Sequence, residues 1–254
     1  MSKDAWCYCT LVTTDSFVIG AQVLILSLLK HSALPDVDVV VLHTDTVSKL
    51  SLKVLQKLSP RVRLRRVGKI EAPAHHNRTV PSWGDYTKLR IWELVDYARV
   101  LYLDADMLVM DSIDHLFSKD LGDLKLAAAP DVYPPDKFNA GLLLIQPGQA
   151  LFDSLLATVG SIASYDGGDT GFLNAHFPEW YSAPEGNRLP FAYNAQRTLY
   201  WMTHNSQPGY WEAVGPIKVL HFSSSPKPWD APDRKGDLEM IWWTTYAELA
   251  GRKV

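Results

Sequence analysis

Apolar residues fall in short blocks separated by polar turns along most of this chain. Residues 8–12, 37–42, 62–67, 100–103, 126–129, 142–145 and 217–222 have the length and the Val, Leu and Ile content that predict strands. Helical spacing begins at Phe17, returns over 47–58 up to Pro60, and recurs at 85–94, 113–117 and 152–162 and in the closing stretch from Ile241. Asp15 or Ser16 is placed to cap the first of these helices. Strands alternating with helices predict an α/β fold with a mostly parallel central sheet and helices on both faces, read as one domain over 1–254. In such sheets ligands sit beyond the carboxyl ends of the strands, where the strand order reverses. The turn Thr13-Thr14-Asp15 and the pair Asp104/Asp106 both follow a predicted strand and so can meet across one crevice.

Composition narrows the partners. A formal charge of −3 gives no electrostatic case for nucleic acid, while 9 Trp and 11 Tyr permit stacking on a sugar or a base. Cys7 and Cys9 are two apart, where a disulfide would be strained, so reduced thiols are expected. The apolar stretch 18–29 is too short to span a bilayer and contains Gln22 and Ser27. The opening MSKDAWCYC has neither the basic region nor the apolar core of a signal peptide, so a soluble, cytoplasmic protein is expected.

The chemistry centres on RVLYLDADMLVMD. Asp104 and Asp106 interrupt an apolar run on both sides, where unpaired charge is expensive. Side chains two apart on an extended chain face one way, and two ionised carboxylates repel unless a cation lies between them. A metal-bridged nucleotide site is one reading and a polar turn after a strand is the other. Lys88 and Arg90 suit either a solvated face or a phosphate contact. Asn139-Ala140-Gly141 puts small residues before a predicted strand, which lets a ligand approach the backbone or simply makes a tight turn. YDGGDTGFLN sets Asp166 and Asp169 around a Gly-Gly turn, with Asp169 placed to cap a helix. The stretch 189–201 is apolar with polar breaks at Asn194, Gln196 and Arg197. His221 ends a predicted strand before a Ser-rich loop and Lys227. The adjacent His75 and His76, in a loop over 71–83, point apart and read as surface or lid residues.

Taken in order, YTKLRIWEL, VLYLDADMLV, FNAGLLL, DGGDTGFLN, LPFAYN and HFSSSPKPW resemble glycosyltransferase family 8, which includes glycogenin, galactinol synthase and bacterial galactosyltransferases. The resemblance implies a GT-A type fold and Mn2+-dependent transfer of a hexose from a UDP-sugar, UDP-glucose or UDP-galactose, with retention at the anomeric carbon. It implies Asp104, Asp106 and His221 as metal ligands, with Ala105 between the acids, and Lys227 on the diphosphate. Leu11, Val12, Thr13, Asp15 and Phe17 match the stretch that holds the uridine. Lys88, Asn139, Ala140 and Gly141 match donor-contacting positions, and Asp166 and Asp169 match the pair around the sugar hydroxyls and the acceptor, Asp169 being the best-placed carboxylate for a double displacement, with same-face attack guided by UDP the alternative. Thr170 stands where glycogenin-like sequences have Gln, and Ser224 where the loop usually has Gly. The acceptor implied is a small polyol, a sugar or a glycan. Self-glucosylation at Tyr200 and a non-catalytic nucleotide-sugar binder are the alternatives, and a homodimer is left open.

Overall fold

A computed structural model describes residues 5–72, 86–204, 209–231, 233 and 236–251; the 71–83 loop reading, with His75 and His76, lies largely outside them. In chain order the elements are β1 (Trp6–Val12), α1 (Val18–His31), β2 (Asp38–His43), α2 (Lys49–Gln56), β3 (Val62–Arg66), β4 (Arg99–Leu103), β5 (Met107–Val109), β6 (Leu126–Pro130), β7 (Phe138–Ile145), α3 (Gln149–Thr158), α4 (Asp169–His176), β8 (Ala195–Gln196), α5 (Arg197–Thr203), α6 (Tyr210–Ala213), β9 (Val219–His221) and α7 (Asp237–Gly251). The main sheet runs β3-β2-β1-β4-β7-β6 and a small one runs β5-β9-β8. β1 pairs in parallel with β2 and β4, and β2 with β3, while in the main sheet β7 runs against both its neighbours, β4 and β6.

Alternation along the strands divides the core into two faces. Tyr8, Leu101, Leu103, Leu142 and Leu144 pack with α1 on one side. Cys7, Cys9, Val100, Tyr102, Leu143 and Ile145 pack on the other with Trp92, Phe152 and Phe172. Both cysteines are free and buried, and burial pushes both thiols up. A third cluster joins α1, α7 and the small sheet through Val23, Leu108, Leu220, Phe222 and Trp242. No helix among the described residues is long and apolar enough to cross a membrane.

Three local readings change. The helical spacing over 85–94 is realised, among the described residues, as a 3-10 run, Tyr86–Glu93, which turns Lys88 inward and leaves Arg90 to bond the Gly68 carbonyl and Glu93. The strand read at 142–145 starts at Phe138, so Asn139, Ala140 and Gly141 lie inside β7. Asp15 does not cap α1. It sits in a 3-10 turn, Asp15–Phe17, and its carboxylate accepts from the Ser48 amide at the start of α2, 2.9 Å away.

The switch point lies between β1 and β4. Cys9 stands opposite Tyr102 in parallel register, so the chain leaves both strands on one edge of the sheet, at Thr13 and at Asp104.

Candidate active site

Asp104 and Asp106 occupy the tight turn between β4 and β5 and are not on extended strand, as the spacing suggested. The Asp104 amide donates to the Gly141 carbonyl at 2.8 Å, and the Phe222 amide donates to the Asp106 carbonyl at 3.0 Å. The turn is thereby tied to β7 and to the end of β9. His221 arrives from β9, directly opposite Met107 in the antiparallel pair. One donor atom each from Asp104, Asp106 and His221 lies within 4.8 Å of the other two. His221 Nε2 is 3.4 Å from Asp106 Oδ1 and 4.0 Å from Asp104 Oδ2. These separations are short enough for the three groups to share one divalent cation.

The tautomer of His221 is set by a chain of amides. The Gly141 amide donates to Asn139 Oδ1 at 2.9 Å, and Asn194 Nδ2 donates to the same oxygen at 2.9 Å. Asn194 Oδ1 then faces His221 Nδ1 at 2.7 Å and must accept from it. The Nε2 lone pair is left aimed at the two acids, the form a metal ligand requires. Gly141 leaves room for the ring. A Cβ there would overlap His221 Cε1 and lie 2.7 Å from Met107 Cε.

Two lysines counter the carboxylates. Lys227 Nζ is 2.6 Å from Asp106 Oδ2 and also donates to the Phe222 carbonyl. Lys88 Nζ bridges Asp104 Oδ1 at 3.0 Å and Asp169 Oδ2 at 2.7 Å, and donates to the Ala140 carbonyl at 3.1 Å. Lys88, Asp106, His221 and Lys227 are each less than a tenth exposed. Burial opposes the charge on Asp106 and the Lys227 ammonium beside it favours that charge; the carboxyl lies well below its usual range. Burial pushes Asp169 up, and Lys88 only partly offsets this. Tyr102 donates its hydroxyl to Asp104 Oδ1 at 2.7 Å. Three acids and two ammoniums in one buried cluster leave one net negative charge, a setting that favours a further cation.

The remaining predicted residues divide by role. Thr13 follows β1, and its carbonyl accepts from the Thr44 and Thr46 hydroxyls; Leu11 is half-buried, and Val12 is buried in the core. Phe17 packs edge-on against Trp229, centroids 5.6 Å apart. Ala105 is buried, and its carbonyl lies close enough to Gly20 that a Cβ there would be 2.6 Å away. Thr170 Oγ1 accepts from the Ala140 amide at 3.2 Å. The capping carboxylate is Asp166, not Asp169: its Oδ1 accepts from Ser164 Oγ and from the Gly168 and Gly171 amides at the start of α4. Ser224 turns its hydroxyl to Arg197. Tyr200 donates to Asp237 Oδ2 at 3.1 Å and stacks on His204. A cavity of about 390 Å³ opens beside Lys227, with Arg197, Trp201, Pro226 and Glu239 in its wall.

In the sequence Asn194 and Arg197 show only as polar breaks in an apolar stretch. That interruption was the signal, because a polar side chain in such a run is kept where it has buried partners.

The sequence profile of Glycosyl transferase family 8 matches residues 8–232. The chain is 32% identical over 266 residues to inositol phosphorylceramide glucuronosyltransferase 1 of Arabidopsis thaliana, covering 94% of this chain and 43% of that protein. It is 35% identical over 225 residues to human glycogenin-1, covering 88% of this chain and 62% of that protein. The chain thus spans less than two thirds of the length of either relative. Among solved structures it is similar to GlyE of Streptococcus pneumoniae in its apo form (TM-score 0.69, 22% identity, 96% of this chain and 60% of that one). It is also similar to the galactosyltransferase LgtC in complex with donor and acceptor sugar analogues (TM-score 0.66, 20% identity, 95% of each chain). The shared fold is the GT-A type.

Proposed function

The chain belongs to glycosyl transferase family 8, and from that premise we propose that it is a Mn2+-dependent, retaining enzyme that moves a hexose from a UDP-sugar to a hydroxyl acceptor. The observation that carries this reading is the convergence of Asp104, Asp106 and His221, with the His221 lone pair aimed inward by Asn194. Two hard oxygens and one imidazole suit Mn2+ better than Ca2+. When bound, the ion supplies Lewis acidity to the diphosphate leaving group.

The protein's own groups do the rest. Thr13 and Asp104 leave neighbouring strand ends, so a nucleotide lying across that edge reaches the metal ligands with its diphosphate. Lys227, on Asp106, is placed to take up negative charge as UDP departs. Lys88 orients Asp169 toward the sugar. An ammonium 2.7 Å from Asp169 Oδ2 fixes that carboxylate in place, which suits either the nucleophile of a double displacement or an orienting group in same-face attack. The cavity beside Lys227 offers the Trp201 ring for an acceptor sugar to stack on.

The donor is proposed as UDP-glucose or UDP-galactose. A panel of UDP-sugars that also includes UDP-glucuronate, assayed for UDP release with Mn2+, tests it. The reading expects one donor to be turned over slowly even without acceptor, and turnover to vanish in Asp104→Asn and Asp106→Asn. Release that survives both substitutions would remove the site from the reaction.

A further inference from the structure

His221 and Lys227 are joined by five residues, 222–226, and one side chain holds that connection in shape. Arg197, in the first turn of α5 and 2% exposed, donates Nη2 to the Ser224 carbonyl and to the Pro226 carbonyl, each at 2.8 Å. Nη2 and Nε also reach Ser224 Oγ at 2.9 and 3.3 Å. Nη1 meets Glu239 Oε1 of α7 at 2.7 Å, and Glu239 is buried as well. The guanidinium lies over the rings of Trp201 and Phe222, 4.3 and 5.4 Å from their centroids.

Two carbonyls of one short loop turned inward onto a single cation fix the backbone between them, and Lys227 is the next residue after the second. A planar fork with five donors can meet a hydroxyl, two carbonyls and a carboxylate together, which a single ammonium cannot. Ser224, which stands where the family motif usually has Gly, supplies the extra acceptor. Its hydroxyl faces the guanidinium, so the serine and the arginine work as one clasp. A buried ion pair contributes little to stability compared with apolar packing of the same volume, so geometry is the better account of the Arg197–Glu239 pair.

We infer that Arg197 is a positioning residue for Lys227: through the Ser224 and Pro226 carbonyls it sets where the Lys227 ammonium stands relative to the metal ligands and the donor diphosphate. This rests on the reading of Lys227 as a diphosphate ligand. Arg197 touches no reacting atom itself.

The test is calorimetry on the full chain, with UDP titrated at saturating Mn2+ and Mn2+ titrated without nucleotide. Lys227→Ala sets the baseline and should weaken UDP by at least about tenfold, the scale of a charged hydrogen bond. Arg197→Lys should weaken UDP by about tenfold and Ser224→Ala by about threefold, without weakening Mn2+ binding by the protein alone. In a Lys227→Ala background both effects should disappear, because a residue that acts through Lys227 has nothing left to position. An equal loss of UDP affinity in that background, or a parallel loss of Mn2+ affinity, would overturn the inference in favour of a general structural role. If Lys227→Ala leaves UDP affinity unchanged, the diphosphate reading of Lys227 fails first and carries the inference with it. Ser224→Ala leaves the buried Arg197–Glu239 pair intact, so it decides the matter should Arg197→Lys not fold; unchanged UDP affinity in it then counts against the clasp.

Discussion

Nζ of Lys227 lies 2.6 Å from Oδ2 of Asp106, both side chains buried, so a carboxylate placed to bind a metal already carries an internal cation. Lys88 serves Asp104 in the same way at 3.0 Å. An ion bound to these acids must therefore compete with an ammonium for Asp106. Lys227→Met, which keeps the stem and removes the charge, should raise the affinity for Mn2+ alone by roughly three- to tenfold while lowering the affinity for UDP. Electron paramagnetic resonance of the unbound ion during titration measures the first effect. A fall in Mn2+ affinity would mean that Lys227 does not compete with the metal.

Asn194 holds His221 by the ring nitrogen that faces away from the acids. Asn194→Ala removes the acceptor at 2.7 Å and lets the imidazole change tautomer or turn. Groups that orient a metal-bound histidine typically matter by about 10–100-fold in affinity, and a loss of that size for Mn2+ is expected. The same titration read against Asn194→Ser, which keeps an oxygen near the ring, should show partial recovery. Equal metal affinity in wild type and Asn194→Ala would exclude the orienting role.

Gly141 is required by the histidine, not by its own backbone. A methyl group there meets the His221 ring and Met107 Cε, and both neighbours are buried. Gly141→Ala should cost about 1–3 kcal/mol of stability, the usual penalty of overpacking. It should also weaken Mn2+ binding more than a remote substitution of equal cost. Thermal melts paired with metal titration check both, and a variant that binds Mn2+ normally would show that the ring has room to retreat.

The Asp96–Arg65 pair gives the fold one identifiable acid-labile contribution. Two hydrogen bonds from the Arg65 guanidinium, at 2.9 and 2.5 Å, hold the Asp96 carboxyl below its usual value. The unfolded chain therefore binds a proton that the folded one refuses. Stability from this pair is complete above an unfolded value of about 3.9 and is lost as pH falls from there through the folded value. Both groups are about a third exposed, so Asp96→Asn should cost about 0.5–1 kcal/mol at pH 7 and nearly nothing well below pH 4. Urea melts at the two pH values give the comparison, and a difference that does not shrink in acid would assign the cost to something other than this pair.

The sequence was most legible where charge broke an apolar run. Asp104 and Asp106 stood out because nothing else in 100–110 is charged, and His221 because it closed a strand. The strand and helix alternation gave the parallel half of the sheet. It did not give the reversal of β7, because Leu142 to Ile145 reads alike in either direction, nor the small sheet, whose strands are two or three residues long. Roles that depend on distant partners stayed hidden. Asn194 acts through Asn139 and His221, 55 and 27 residues away, and Arg197 through Glu239, 42 away. Asp15 was read as a cap for its own helix because local spacing allowed it, yet its partner is Ser48, 33 residues on. Spacing likewise allows Asp169 to cap its helix, but Asp166 closes that turn, which is formed by glycines whose geometry spacing alone does not show.

The most direct test of the account is UDP binding by calorimetry in Mn2+ and in EDTA, for the wild-type chain and for Asp106→Asn. The account predicts saturable binding only for the wild type with Mn2+ present, and at most weak heats in the other three conditions. Equal affinity in EDTA, or in Asp106→Asn with Mn2+, would contradict the claim that two acids and a histidine hold the ion on which the nucleotide lands.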